Sequence, residues 1–278
     1  MAQLLDGKKV AEGIKQRLKD LSTTFAIAPC LAIVQIGEDT RSDIYIRNKK
    51  LFGEAVGAEV RHVRIASSTT QAEAEQLLQQ LSNDQSVHGI IMQLPIPEHL
   101  DKEHLLSMIV AHKDVDGISG NDSPYVPATA RGVMSLLQAY NIELQGKRAV
   151  VIGRSKLVGA PTAQCLERAG AQVTVCHKET PDIPAITQQA DIIVAAAGSP
   201  HLITPAYVRE GQVIVDVGIN PVTKEGDTVS YTVGDVDFKA VSLIVAAISP
   251  VPGGVGPLTV ASLFENLFDA FQFCIKTQ

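Results

Sequence analysis

The chain offers little of what a disulfide framework or a structural metal site needs. Cys30, Cys165, Cys176 and Cys274 form no C-x-x-C pair and stand at no zinc-finger spacing with histidine, so reduced thiols in a cytosolic protein and no bound metal are the expectation. Positive charge is in deficit. Lys and Arg number 24 against 30 Asp and Glu, a net charge of −6 with a pI near 5.6, which disfavours a bulk nucleic-acid or anionic-membrane binder. A local basic pocket for a small anion stays open. The most apolar stretch, "VSLIVAAISPVPGGVG", is broken by prolines and glycines short of a membrane span. The N-terminal "MAQLLDGKKVAEGIKQRLKD" has the pattern of an amphipathic helix with both charge signs and no apolar signal-peptide core. A soluble, cytoplasmic protein is therefore expected. No internal repeat or low-complexity segment stands out.

What is present is apolar patterning. Apolar residues make up 45% of 278 residues and charged ones 19%, enough to bury two cores. Strand-like runs alternate with helix-like ones: strands at 30–37, 58–65 and 87–97, helices near 43–55 and 69–84, with Thr40 or Ser42 as the cap of the first. The second series holds a helix at 130–142, strand 148–153, helix 160–169, and strands 171–177, 191–198, 211–220 and 242–250. Such alternation indicates an α/β fold with parallel sheets and right-handed crossovers. The turn-rich "DVDGISGNDSPYVP" at 114–127 is the expected boundary.

After strand 148–153 comes "GRSKLVGAP". A strand-to-helix turn presents free N–H groups and the positive end of a helix dipole, which suits a phosphate. Gly153 allows the sharp turn, Gly159 close helix packing, and Arg154 and Ser155 add side-chain donors. An ordinary turn has the same outline. Where a NAD-type site keeps a carboxylate on the next strand, this chain has His177 and Lys178. A cation there favours a 2′-phosphate, hence NADP. Earlier, Tyr45 and Lys49 fall at i and i+4 on one helix face, beside a strand end where open sheets place ligands. A sheltered lysine serves as a general acid/base, whereas neighbouring Arg47 and Lys50 fit a plain charged face.

Tyr45 with Lys49, "MQLPIP" (92–97), "KDVDG" (113–117), "VIGRSKLVGAP" (151–161), "VGDVDF" (233–238) and "PVPGGVGPLTV" (250–260) occur in order. Together they resemble the bifunctional methylenetetrahydrofolate dehydrogenase/methenyltetrahydrofolate cyclohydrolase family across essentially the whole chain. The resemblance implies NADP-dependent oxidation of 5,10-methylenetetrahydrofolate, then hydrolysis to 10-formyltetrahydrofolate, within one-carbon metabolism and purine biosynthesis. It implies that Lys49 activates water, Gln93 hydrogen-bonds Lys49 and keeps its amine oriented, Leu94 lines the substrate site, Tyr45 packs on the pterin, and Asp116 binds the pterin's N–H donors. The loop Pro252, Gly253, Gly254, Val255 and Gly256 would close over substrate, and Gly153, Arg154, Ser155, Lys178 and Ile219 would contact NADP.

The implied architecture is an N-terminal folate-site domain (1–119), a Rossmann-like NADP domain with a parallel sheet (120–256), a helix 257–278 returning to the first, and a homodimer through the cofactor domain. The reaction would lie in the cleft between domains. One departure stands out: residues 117–132, "GISGNDSPYVPATARG", are shorter than the family pattern and lack its N-x-G-x-L and P-C-T-P-x-G segments. A monofunctional dehydrogenase of the family, a shikimate- or amino-acid-type dehydrogenase of similar plan, and an inactive folate- or nucleotide-binding regulator are the competing readings.

Overall fold

The apolar run Cys30–Ile36 is buried at every position, as a parallel strand covered on both faces must be. In the computed structural model, which describes residues 2–120, 122–223 and 230–277, it is the central strand of a three-stranded sheet. The chain runs β1 (Gln3–Leu4), α1 (Gly7–Ser22), β2 (Cys30–Ile36), α2 (Thr40–Ala55), β3 (Glu59–Ile65), α3 (Gln71–Asn83), β4 (Gly89–Met92) and α4 (Lys102–Ser107). β3 and β4 pair parallel with β2 on either side. Helix α2 starts earlier than expected because Asp39, ahead of Thr40, is the cap: its carboxylate accepts from Ser42 N at 2.8 Å. The strand expected over 87–97 contracts to β4. Its ladder ends with Gln93 N donating to Val34 O at 2.8 Å, and a cis Leu94–Pro95 bond follows.

Then come α5 (Ala128–Ala139), β5 (Arg148–Ile152), α6 (Gly159–Arg168), β6 (Gln172–Cys176), α7 (Ile183–Gln188), β7 (Ile192–Ala195), β8 (Val213–Asp216), β9 (Asn220–Thr223), β10 (Ser230–Val233), α8 (Phe238–Val241), β11 (Ala247–Ile248) and α9 (Val255–Thr277). A six-stranded parallel sheet has the order β1-β11-β8-β7-β5-β6. Strand 211–220 is thus shorter than expected, and its last residue, Asn220, opens β9, which pairs antiparallel with β10. Strand 242–250 shrinks to β11, since α8 and a turn take up the residues before it.

Two compact units result: Met1–Ala11 with Thr129–Thr259, and Glu12–Ala128 with Val260–Gln278. These bounds differ from 1–119 and 120–256 for identifiable reasons. β1 pairs with β11, which draws the N-terminal residues into the six-stranded unit. Asn266 donates to Val115 O and Val126 O at 2.8 and 2.9 Å, which ties the segment after residue 119 to the other unit. Asn121, in the shortened connection, and Gln278, at the end of the expected C-terminal helix, lie outside the described residues. Helix α9 has the length and apolarity of a membrane span, yet 61% of it is buried inside the protein. Phe264, Phe268 and Phe271 lie on its buried face, with Phe264 5.1 Å from Phe52 and Phe271 4.7 Å from Phe25 between ring centroids.

Candidate active site

In the three-stranded unit, α2 follows the C-terminal end of β2, and β4 ends beside it. Tyr45 and Lys49 share one face of α2, as their spacing requires. Lys49 Nζ donates to Gln93 Oε1 at 2.9 Å. The other end of the Gln93 amide donates to Leu94 O at 2.9 Å, so its oxygen is fixed toward the lysine. Ser42 Oγ donates its one hydrogen to the capping Asp39 at 2.7 Å and lies 3.3 Å from Leu94 O. The start of α2 thereby lies against the end of β4. Gln93 is buried, Lys49, Leu94 and Asp116 are half-buried, and Tyr45 is 42% exposed.

Burial lowers the Lys49 ammonium from its ordinary range, with the nearby Asp116 carboxylate opposing that shift. Burial likewise raises the Asp116 carboxyl, Lys49 offsets part of it, and Asp114 adds to it. Asp114 itself builds the turn: its carboxylate accepts from Gly117 N and Ser119 N, each at 3.0 Å, and from Ile118 N at 3.3 Å. Sequence reasoning singled out Asp116 and weighed Ser42 as a helix cap, but passed over Asp114 and Asp39. A proton-accepting amine, an amide holding it and a carboxylate facing it are what water activation beside a cationic or polar heterocycle requires.

In the six-stranded unit the strand order reverses at β6-β5-β7, so the C-terminal ends of β5 and β7 form a switch point. Gly153 has φ +122°, and a Cβ there would come within 2.1 Å of Ala196 O; a Cβ on Gly159 would come equally close to Gly153 O. Both glycines are sterically required. Ser155 Oγ accepts from Val158 N and Gly159 N at 3.2 and 3.4 Å, taking the capping role that Val158 cannot, while its O–H remains a donor. Arg154 is exposed and faces Glu179 at 3.5 Å and His177 Nε2 at 3.5 Å. Lys178 is exposed, as is Ile219. The acidic neighbour Glu179 was not weighed in the sequence. A bare turn, a helix N-terminus and cations beyond the second strand suit a nucleotide phosphate.

Of the segment expected as one loop, only Pro252, Gly253 and Gly254 are loop; Val255 and Gly256 form the first turn of α9. The loop lies on the start of α1. Lys8 N donates to Gly253 O at 3.2 Å, and a Cβ on Gly7 would meet Gly254 O at 1.8 Å. Among the described residues no group of three or more His, Cys, Asp or Glu is arranged to hold a metal ion.

Family profiles described as the catalytic domain and the NAD(P)-binding domain of tetrahydrofolate dehydrogenase/cyclohydrolase match residues 5–116 and 127–274. The chain belongs to the tetrahydrofolate dehydrogenase/cyclohydrolase family. The bifunctional protein FolD of Moorella thermoacetica is 43% identical over 280 residues, covering 97% of this chain and 98% of that protein. The crystal structure of the bifunctional FolD enzyme from Campylobacter jejuni superposes with a TM-score of 0.93 at 41% identity, covering 98% of this chain and 99% of that one. The Trypanosoma brucei FolD enzyme, solved with NADP cofactor and an inhibitor, gives 0.92 at 34% identity, covering 99% and 98%. Shikimate dehydrogenase from Aquifex aeolicus gives 0.53 at 14% identity over 90% of this chain and 93% of that one. That likeness is one of fold alone. Membership in the folate family leaves the shikimate-type reading without support.

Proposed function

We propose that this chain oxidises 5,10-methylenetetrahydrofolate to 5,10-methenyltetrahydrofolate with NADP⁺ and hydrolyses the product to 10-formyltetrahydrofolate. The observation that carries the hydrolytic half is the Lys49–Gln93 hydrogen bond on a lysine whose charge is disfavoured by burial. NADP⁺, when bound, supplies the hydride acceptor for the one-carbon bridge. The residues present fit it: Gly153 and Gly159 admit a close backbone approach, Ser155 keeps an O–H donor, and Arg154 and Lys178 supply cations for a 2′-phosphate.

For hydrolysis, neutral Lys49 takes a proton from water as the oxygen bonds to the methenyl carbon. The same ammonium then returns a proton to the departing ring nitrogen as that C–N bond breaks, and the adduct's hydroxyl releases its remaining proton to solvent as the formyl C=O forms. Gln93, anchored on Leu94 O, holds the amine without adding charge. Asp116 accepts from the pterin's N–H donors, Tyr45 packs on the pterin, and the 252–256 segment covers the substrate. Lys49→Ala is expected to lower hydrolysis by about 10²- to 10⁴-fold while NADP⁺ affinity stays at the wild-type value. Stopped-flow hydrolysis and cofactor titration on the same preparation check this, and full hydrolytic activity in the variant refutes the assignment.

The homodimer is also a proposal, supported by β6: it is the outermost strand of its sheet with Val175 partly exposed, an edge a second copy can extend. Light scattering gives the mass that decides it. Cytoplasmic placement and supply of formyl groups for purine biosynthesis are proposed with it. Cys30, Cys165 and Cys176, which burial holds as poorly reactive thiols, fit a reducing compartment.

A further inference from the structure

Two buried aspartates outside the sites described above connect the segments that follow β7, β8 and β10 in the six-stranded unit. The Asp235 carboxylate accepts four hydrogen bonds. Oδ2 takes Ala197 N and Gly198 N at 2.6 and 2.9 Å, and Oδ1 takes Ser199 N at 2.9 Å and Asn220 Nδ2 at 2.8 Å. A carboxylate has about four acceptor positions, so all are filled. Asp235 is in turn held by Asp216 at the end of β8. Asp216 Oδ1 accepts from Asp235 N at 3.0 Å and Gly218 N at 2.9 Å, and Oδ2 from Val236 N at 3.0 Å. No side chain fits between them: a Cβ on Gly234 would come within 1.8 Å of Asp216 Oδ2, and one on Gly218 within 2.3 Å of Asp235 Oδ1.

The segments so fixed have a direction. Residues 197–199 follow β7 and continue from Ala196, whose carbonyl lies against Gly153. Ile219, with its side chain 49% exposed, sits between Gly218 and Asn220, one tied to each aspartate. One wall of the β5–β7 crevice and one exposed apolar contact are therefore placed by the same pair of buried carboxylates. Neither aspartate reaches the crevice itself, since Asp235 is 0% and Asp216 3% exposed.

We propose that Asp235, held by Asp216, is a positioning residue for the NADP site, setting the loop after β7 and Ile219 against the Gly153 turn. This rests on the cofactor lying in the β5–β7 crevice. Asn at 235 keeps the shape but turns an NH₂ toward two N–H donors whichever way the amide lies, so the loop must shift. The bifunctional chain provides an internal control, because hydrolysis of methenyltetrahydrofolate can be assayed without cofactor. Asp235→Asn is expected to raise the Kd for NADP⁺ about tenfold or more, with hydrolysis within about twofold of wild type. Asp216→Asn is expected to give a smaller rise in the same direction, and the double variant no more than Asp235→Asn alone.

An unchanged Kd in Asp235→Asn, or a Kd rise matched by an equal loss of hydrolysis, overturns the proposal. Arg154→Ala measured alongside separates the two layers. A raised Kd there beside an unchanged one in Asp235→Asn overturns this proposal alone, and unchanged values in both overturn the crevice reading with it. Should Asp235→Asn not fold, Asn220→Ala removes one of the four donors and carries the test: a Kd raised about two- to fivefold supports positioning, and an unchanged Kd overturns it.

Discussion

The base role proposed for Lys49 depends on how far its surroundings disfavour its charge, and two influences pull in opposite directions. Burial lowers its pKa and Asp116 raises it. Asp116→Asn removes the anion, so the amine loses its proton at lower pH. The acidic limb of the hydrolysis kcat profile is therefore expected to shift to lower pH, measured at saturating substrate because pterin binding weakens as well. A shift to higher pH contradicts the arrangement. At the cofactor turn, Arg154 faces Glu179 with both side chains more than half exposed, and such a pair is worth about 0–1 kcal/mol. A 2′-phosphate competes well against it. Glu179→Gln is expected to tighten NADP⁺ by about two- to fivefold while NAD⁺, which lacks that phosphate, changes little. Equal tightening of both cofactors, measured by titration, contradicts a 2′-phosphate role for Arg154.

Among elements, helix α3 is closed by a buried cation. Lys113, buried just after α4, donates to Leu81 O, Ser82 O and Asp84 O at 3.2, 2.8 and 2.8 Å, closing the C-terminal end of α3. Lys113→Met leaves those carbonyls without the ammonium and is expected to cost about 1–3 kcal/mol, read as a lower urea midpoint; an unchanged midpoint contradicts the capping role. "KDVDG" was legible as a motif, with Asp114 taking local N–H donors, yet the roles of Lys113 and Asp116 in it were not, because their partners lie tens of residues away. The same holds for Asp216 and Asp235. Periodicity revealed β2, α3 and β5 because a buried strand or an amphipathic helix writes its burial into every residue. It failed for α7, whose six residues contain Pro184, and for the β9–β10 hairpin, whose pairing no apolar alternation announced. Asp39 was missed as a cap because Thr40 and Ser42 beside it are equally good cap residues.

At the scale of the molecule, two compact units each carry a distinct set of groups: Lys49, Gln93 and Asp116 on Glu12–Ala128, and the Gly153 turn with its cations on Thr129–Thr259. The shortened 117–132 connection keeps the Asp114-built turn and is anchored by Asn266 at Val115 and Val126. This chain's departure from the family pattern there thus leaves the residues assigned to chemistry in place. The central claim is that one chain oxidises and then hydrolyses the same one-carbon unit. The measurement that tests it most directly is one progress curve on purified protein with methylenetetrahydrofolate and NADP⁺, following NADPH and the methenyl compound separately. The account predicts that NADPH outruns methenyl, with 10-formyltetrahydrofolate making up the difference above a no-enzyme control. NADPH and methenyl rising together would contradict it and leave a dehydrogenase without effective hydrolysis.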